Sequence, residues 1–152
     1  MNKPKGLIKM IYVGCDHGGY QLKLELMKYL EAKGFSYEDL GCNGETVDYP
    51  DIAEKVCKKV LENSENKGLL ICGTGIGISI AANKIKGIRA ALCADWYSAK
   101  YTRLHNDANV ICMGGRTTGA GSATEMLDVF LHTDFEGGKH ALRVDKIKKL
   151  ED

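Results

Sequence analysis

Short apolar runs alternate with helix-periodic segments along most of the chain. The apolar runs predict strands at residues 8–14, 35–40, 69–72, 88–93 and 109–113. Apolar positions at helical spacing predict helices at residues 20–33, from Pro50 onward, and at residues 78–84, 95–104, 119–132 and 141–150. Strands that are apolar throughout are typical of a sheet that is buried on both faces. The pattern therefore predicts the α/β class, as a five-stranded parallel sheet with helices on both sides.

Polar and glycine-rich clusters follow three of the predicted strands. Asp16 and His17 follow the first strand, the run 72–77 follows the third, and Arg116 follows the fifth. In open parallel sheets, ligands bind in the crevice beyond the carboxyl ends of the strands. The sequence therefore predicts a ligand site at that edge of the sheet.

Length, charge and cysteine spacing narrow the function classes. The 152 residues predict one domain over residues 1–152, with residues 1–7 as a mobile extension. A net charge of +1 argues against nucleic acid or a membrane surface as the partner, and no apolar run is long enough to span a membrane. The six cysteines have no zinc-like spacing, so we expect no structural metal site. Four of them, Cys15, Cys72, Cys93 and Cys112, lie within or just after apolar strand-like runs, which favours free thiols and therefore a cytoplasmic location.

The strongest local signal is the glycine run that starts at Cys72. Gly73, Gly75 and Gly77 alternate between a predicted strand and a predicted helix, so backbone N–H groups can converge on a phosphate or an oxyanion. The run is not the dinucleotide fingerprint, because Ile78 occupies the position of the last glycine, and no Gly-Lys-Ser/Thr follows as in a Walker loop. The alternative is a tight turn that needs glycine only for its conformation.

Three positions carry candidate acid–base groups, each with a structural alternative. Cys72 precedes a helix N-terminus, which favours a thiolate, although a free cysteine is often a small core residue. His17, next to Asp16, can bind phosphate or transfer protons, whereas Asp16 can simply cap a helix. His105 and Asn106 close a helix, and a helix C-terminus favours the protonated imidazole of a general acid. A plain polar connector is the alternative there.

Cations late in the chain are candidate phosphate ligands. Arg116 follows the last predicted strand, and Lys139 and Arg143 are four residues apart, so a helix would place them on one face. Such a pair is more often a solvated face. His132 and His140 are predicted to be surface residues.

Several segments taken together are recognisable. They are residues 14–19, 48–50, 71–90, 105–109 and 136–138. In this order they resemble type B ribose-5-phosphate isomerases and their galactose-6-phosphate isomerase relatives, over about residues 9–150. The Cys-Gly-Thr-Gly run at 72–75 with its Ala-Ala-Asn-Lys sequel at 81–84 is the most specific part of the resemblance.

The resemblance implies an aldose–ketose isomerase that interconverts ribose 5-phosphate and ribulose 5-phosphate through a cis-enediolate. It implies a Rossmann-like α/β/α sandwich, a homodimer or tetramer with active sites at the subunit interface, and no metal or organic cofactor. The implied catalytic residues are Cys72 for proton transfer between C2 and C1, His105 for ring opening, and Thr74 as an assistant to the thiol or to proton exchange. The implied substrate-binding residues are Asp16, His17, Tyr49, Gly73, Gly75, Gly77 and Asn106. The implied phosphate-binding residues are His17, Arg116, Lys139 and Arg143.

One departure and two alternatives remain open at this point. The family often has arginine at the position of Lys139. Lysine keeps the positive charge but cannot make the bidentate hydrogen bonds that arginine makes to phosphate. The substrate can instead be galactose 6-phosphate, allose 6-phosphate or a tetrose phosphate. The chain can also be a non-catalytic phosphosugar-binding subunit, although the presence of Cys72, Thr74 and His105 argues against this.

Overall fold

The apolar runs form one parallel sheet in the structure, a computed structural model that describes residues 7–152. Within this range the strands are β1 (Ile11–Cys15), β2 (Tyr37–Asp39), β3 (Lys67–Cys72), β4 (Ala90–Leu92) and β5 (Val110–Gly114). Their order across the sheet is β2-β1-β3-β5-β4, and neighbouring strands run parallel. The register pairs Cys15 with Ile71 and Cys72 with Gly114, so the carboxyl ends of three adjacent strands lie side by side. The predicted extension at residues 1–7 lies outside the described residues, except for Leu7.

Helices cover both faces of the sheet. They are α1 (Tyr20–Ala32), α2 (Tyr49–Val60), α3 (Ile76–Ala82), α4 (Trp96–Asn106), α5 (Ala120–Leu131) and α6 (Lys139–Lys149). Ile71 points into a core shared with α1, α4 and α5, whereas Leu70 points into a second core shared with α2 and α3. This alternation is the two-residue period of a strand, and it confirms the three-layer α/β/α prediction. No helix in the described range is both long and apolar enough to cross a membrane.

Among the element boundaries that differ from the predicted ones, three have a clear local reason. α3 starts at Ile76 rather than at residue 78, because Gly75 takes a left-handed φ of 77° and the chain enters the helix immediately after it. α6 starts at Lys139 rather than at residue 141, after Gly137 and Gly138, which both have positive φ. β4 is shorter than predicted, because it is an edge strand that pairs with β5 on one side.

A buried lysine joins α1 to the segment that leads to α2. The Lys23 side chain is fully buried, and its ammonium group donates hydrogen bonds to Asp39 Oδ1 at 2.8 Å and to the carbonyl oxygen of Cys42. The apolar face predicted for this helix did not include a charged residue, because a lysine beside leucines normally extends into solvent. This bond anchors the segment that precedes Tyr49.

We expect Lys23→Met to lower the free energy of unfolding by about 2–4 kcal/mol, because Asp39 and the Cys42 carbonyl lose their common donor. Lys28→Met is the matched control on the same helix. Lys28 pairs with Glu25 at 3.2 Å on the surface, where both side chains are exposed and ion pairs contribute about 0–1 kcal/mol. Urea denaturation of both variants measures the difference, and equal stabilities would contradict an anchoring role for Lys23.

Candidate active site

The carboxyl edge of the sheet brings together the polar clusters that follow β1, β3 and β5. The Asp16 amide donates to the carbonyl oxygen of Ile71 at 3.1 Å, and the Arg116 amide donates to the carbonyl oxygen of Gly73 at 2.9 Å. These bonds tie the segments after β1 and β5 to the end of β3, where Cys72 lies. The predicted cluster at this edge is therefore confirmed.

Cys72 lies at the base of a turn in which one backbone amide contacts its sulfur. The Gly75 N–H donates to Cys72 Sγ at 3.1 Å, and the residue is only 4% exposed. Thr74, which is exposed, accepts a hydrogen bond from the Ile76 N–H at 3.2 Å, so its hydroxyl is oriented next to the same turn.

Two glycines of the run allow close approach of functional side chains. A Cβ at Gly77 would lie 2.6 Å from Cζ of Tyr49, so the Tyr49 ring packs directly on the first turn of α3. A Cβ at Gly73 would lie 3.2 Å from Nη1 of Arg116. An aromatic ring and a guanidinium group therefore flank the Cys72 turn, and Gly75 alone among the three needs its left-handed backbone.

Asp16 and His17 approach the same turn from β1. Asp16 Oδ1 accepts a hydrogen bond from the Gly18 N–H at 2.9 Å and caps the 3-10 turn at His17–Gly19, so the capping interpretation of Asp16 holds. A Cβ at Gly18 would lie 2.9 Å from the Gly73 nitrogen, which shows how tightly this turn packs against the Cys72 turn. His17 is exposed and available to a ligand.

The remaining predicted site residues lie at the opposite edge of the sheet, meaning the edge formed by the amino ends of the strands. His105 and Asn106 end α4, immediately before β5 begins, whereas Cys72 is level with the end of β5. β5 has five residues, and the four steps between them, of about 3.3 Å each, separate the two edges by about 13 Å. Lys139 and Arg143 lie on α6, which packs against α4, and they extend this second group. One copy of the chain therefore does not bring these four residues to Cys72.

Two arginines that the sequence analysis did not single out hold the turn after His105. Asp107 takes a left-handed φ of 47°. Arg103 donates to Asp107 Oδ1 at 2.8 Å, and Arg89 donates to the Asp107 carbonyl oxygen at 2.8 Å and to that of Asn106 at 3.0 Å. The four-residue spacing of Arg103 and Asp107 was the one signal that pointed to this arrangement.

His140 is not the surface residue that its sequence position predicts. It is buried, because its imidazole ring stacks on that of His105, with ring centroids 4.0 Å apart and 10° between the planes. Burial lowers the pKa of His140, and the neighbouring His105 adds to this shift while Glu136 opposes it. His132, by contrast, is exposed as predicted.

Comparison with known proteins identifies the family. The family model of ribose/galactose isomerases matches residues 11–147. The chain belongs to the ribose/galactose isomerase family. Ribose-5-phosphate isomerase B of Escherichia coli is 44% identical over 145 residues, which are 95% of this chain and 97% of that protein. The structure of ribose-5-phosphate isomerase B from Clostridium thermocellum has a TM-score of 0.90 at 46% identity, with 94% and 97% of the two chains covered. That of the Mycoplasma genitalium enzyme with bound ribulose-5-phosphate has a TM-score of 0.89 at 42% identity, with 93% and 95% covered.

In this ribose/galactose isomerase chain, four thiols have a raised pKa because they are buried. Burial raises the pKa of Cys15, Cys57 and Cys93 to about 12 in each case. It raises the pKa of Cys112 as well. Only roughly one molecule in 10⁴ of a thiol with a pKa of about 12 is a thiolate at pH 8. These four cysteines are therefore poor nucleophiles.

We expect iodoacetamide at pH 8 to alkylate Cys72 faster than Cys15, Cys57, Cys93 or Cys112, because only Cys72 combines an amide hydrogen bond to sulfur with a position at the ligand edge. Peptide mass spectrometry after timed quenching measures the order. Labelling of Cys57 or Cys112 before Cys72 would contradict the assignment.

Proposed function

We propose that this chain is a ribose-5-phosphate isomerase that acts through the Cys72 thiolate without a metal or organic cofactor. The observation that carries the proposal is the Gly75 N–H hydrogen bond to Cys72 Sγ, in a turn flanked by Tyr49 and Arg116. Membership of the ribose/galactose isomerase family, and relatives named ribose-5-phosphate isomerase B at 44% identity, support ribose 5-phosphate as the substrate.

The reaction moves one proton between adjacent carbons. His105 donates a proton to the ring oxygen and removes the proton of the C1 hydroxyl, which opens the furanose to the aldehyde. Cys72 then removes the C2 proton, and the oxygen of the C1 carbonyl becomes one of the two oxygens of a cis-enediolate. The proton of the C2 hydroxyl passes to the C1 oxygen, a transfer that Thr74 assists. Cys72 returns its proton to C1, which yields the ketose and restores the thiolate.

Stabilisation of the enediolate is the main demand of this chemistry, because a C–H next to a carbonyl is a weak acid. The amides of Gly73, Gly75 and Gly77, with Asn106, are proposed to hold the enediolate oxygens. One well-placed donor of this kind lowers the barrier by about 3–4 kcal/mol. Asp16 and Tyr49 are proposed to bind the sugar.

The phosphate ligands are proposed to come from both edges of the sheet. His17 and Arg116 approach from the Cys72 edge, and both are exposed to a ligand. Lys139 and Arg143 are exposed on one face of α6. Binding of the phosphate, remote from C1 and C2, orients the reacting carbons.

We propose that a second copy of the chain completes the site, in a homodimer or in a tetramer built from such dimers. Within one copy His105 and Cys72 lie at opposite edges of the sheet, so His105, Asn106, Lys139 and Arg143 of one copy would complete the Cys72 site of the other. Large apolar side chains exposed near the site support such an interface. They are Ile76 and Ile80 on α3, and Trp96 and Tyr97 on α4.

The six buried thiols support the cytoplasm as the location of this enzyme. Cys15 and Cys42 lie with their sulfur atoms 3.9 Å apart as free thiols. Free thiols at this separation are typical of a reducing compartment.

The direct test is the interconversion of ribose 5-phosphate and ribulose 5-phosphate by purified protein in the presence of EDTA. We expect turnover that EDTA does not lower, with a higher kcat/KM for ribose 5-phosphate than for galactose 6-phosphate or allose 6-phosphate. A preference for a hexose phosphate would overturn the substrate while leaving the reaction class in place. Binding of ribose 5-phosphate without turnover would favour the non-catalytic subunit.

A methyl group at Gly77 tests the position of Tyr49. We expect Gly77→Ala to lower kcat/KM by up to about 10²-fold, because the exposed Tyr49 ring must move away from a Cβ that would lie 2.6 Å from it. Gly121→Ala on α5 is the matched control, since a Cβ there meets open space. Full activity of Gly77→Ala would show that the Tyr49 position is irrelevant to catalysis.

A further inference from the structure

Three metal-ligating side chains lie together away from the Cys72 turn. They are His105 at the end of α4, Glu136 in the segment before α6, and His140 in the first turn of α6. Glu136 Oε2 lies 3.7 Å from His105 Nε2 and 3.8 Å from His140 Nε2. One donor atom from each residue lies within 4.8 Å of the other two. We call these residues the α4–α6 cluster.

The backbone holds the α4–α6 cluster in place. The Glu136 N–H donates to the carbonyl oxygen of Leu104 at 3.1 Å, which fixes Glu136 beside the last turn of α4. The His140 N–H donates to the carbonyl oxygen of Gly137 at 3.1 Å. The two donor atoms contributed by Glu136 and His140 are therefore carried by a turn that is itself bonded to the helix of His105.

The donor set suits a late first-row divalent cation. Two imidazole nitrogens and one carboxylate oxygen form a common zinc ligand set, with bonds of about 2.0–2.2 Å and a fourth position for water. Donors on such an ion lie within about 3–4 Å of one another by tetrahedral geometry. The present separations of 3.7 and 3.8 Å need little contraction.

One ring must turn before both imidazoles can bind the same ion. The rings of His105 and His140 are nearly parallel, whereas a ligating nitrogen directs its lone pair in the plane of its own ring. The His105 side chain is 38% exposed and that of Glu136 is 56% exposed, so both have room to move. His140 is the buried, fixed member of the α4–α6 cluster.

We propose that the α4–α6 cluster is a binding site for Zn²⁺ or a similar divalent cation, and that the bound ion inhibits the enzyme by taking the His105 nitrogen out of use. The metal is an inhibitor here and has no part in the reaction. The inhibitory half rests on the proposed function, whereas binding of the metal does not.

Calorimetric titration of the full-length, metal-free protein with Zn²⁺ tests the site directly. We expect one Zn²⁺ per chain. His140→Gln should weaken binding by more than the roughly 10–100-fold that loss of an outer partner of a metal ligand costs. His132→Gln is the matched control, because His132 also lies near a carboxylate, Asp128 at 3.5 Å, but outside the α4–α6 cluster. No binding by the wild type, or equal binding by His140→Gln, would overturn the metal site.

Cobalt distinguishes this site from the thiols. Co²⁺ in the α4–α6 cluster should give the visible bands of a tetrahedral ion with nitrogen and oxygen ligands. These bands should disappear in His140→Gln. A sulfur-to-cobalt charge-transfer band in the wild type would assign the metal to cysteine instead and overturn the proposal.

The inhibitory role has its own readout. We expect Zn²⁺ to lower the rate of ribose 5-phosphate isomerisation with a midpoint equal to the calorimetric Kd, EDTA to restore it, and the residual activity of His140→Gln to resist Zn²⁺. Binding without inhibition would overturn the inhibitory role alone. Absence of isomerase activity without zinc would overturn the proposed function and the inhibitory role with it, whereas calorimetry still decides the metal site.

Discussion

Replacement of Cys72 by alanine is expected to lower kcat for ribose 5-phosphate isomerisation by about 10²–10⁴-fold, the usual contribution of a positioned base. The thiolate is the group that carries the proton from C2 to C1 in the proposed reaction, and Cys72 is the thiol at the end of β3, where the glycine turn begins. Alanine removes the sulfur that accepts the Gly75 N–H but keeps the glycine turn. Substrate affinity should therefore stay near that of the wild type.

Two measurements separate the loss of chemistry from the loss of structure. Calorimetric binding of ribose 5-phosphate reports an intact pocket, and exchange of the C2 hydrogen with deuterated water reports proton abstraction. The matched control is Cys57→Ala, which removes a buried thiol on α2 away from the ligand edge and should keep kcat. Wild-type kcat for Cys72→Ala would contradict the assignment of the base, and loss of both binding and turnover would indicate a collapsed turn.

Mixing two inactive variants is expected to restore activity. Cys72→Ala lacks the base at one edge of the sheet, and His105→Gln lacks the ring-opening group at the other. In a mixed dimer, one of the two sites pairs the intact Cys72 of one copy with the intact His105 of the other. Random exchange makes about half of the dimers mixed, so about a quarter of the wild-type activity should return in a symmetric dimer with shared sites.

The control for this experiment uses two variants on the same edge. Cys72→Ala mixed with Arg116→Ala creates no intact site in any combination, so activity should not exceed that of the parent proteins. Light scattering after mixing confirms that subunits have exchanged. No recovery between Cys72→Ala and His105→Gln after exchange would contradict the shared site and require His105 to act in its own copy.

The sheet and half of the candidate site follow from local patterns. Apolar strand runs predict the parallel sheet, and in a parallel sheet the chain direction places Asp16, Cys72 and Arg116 at one edge. The glycine run predicts a turn of free amides, and the structure adds that Gly75 supplies the left-handed backbone. Gly77 serves a different purpose, the approach of Tyr49, which is distant in the sequence.

The burial of polar side chains depended on residues far away in the chain. Lys23 is buried because its ammonium group bonds to Asp39, the last residue of β2, and to the carbonyl oxygen of Cys42, which follows that strand. His140 is buried because the turn before α6 bonds to the end of α4 and places its ring on that of His105. Both contacts join residues that are distant in the sequence, so the periodicity of residues within one segment does not reveal them.

The sequence by itself determined the order of the elements, the parallel sheet and the position of the Cys72 turn, because hydrophobic periodicity and glycine spacing act over a few neighbouring residues. Only the tertiary structure decided which site residues meet. It placed His105, Asn106, Lys139 and Arg143 at the edge opposite Cys72, because α4 runs back along the sheet before β5 begins. It also assembled the α4–α6 cluster, since that contact depends on how two distant helices pack.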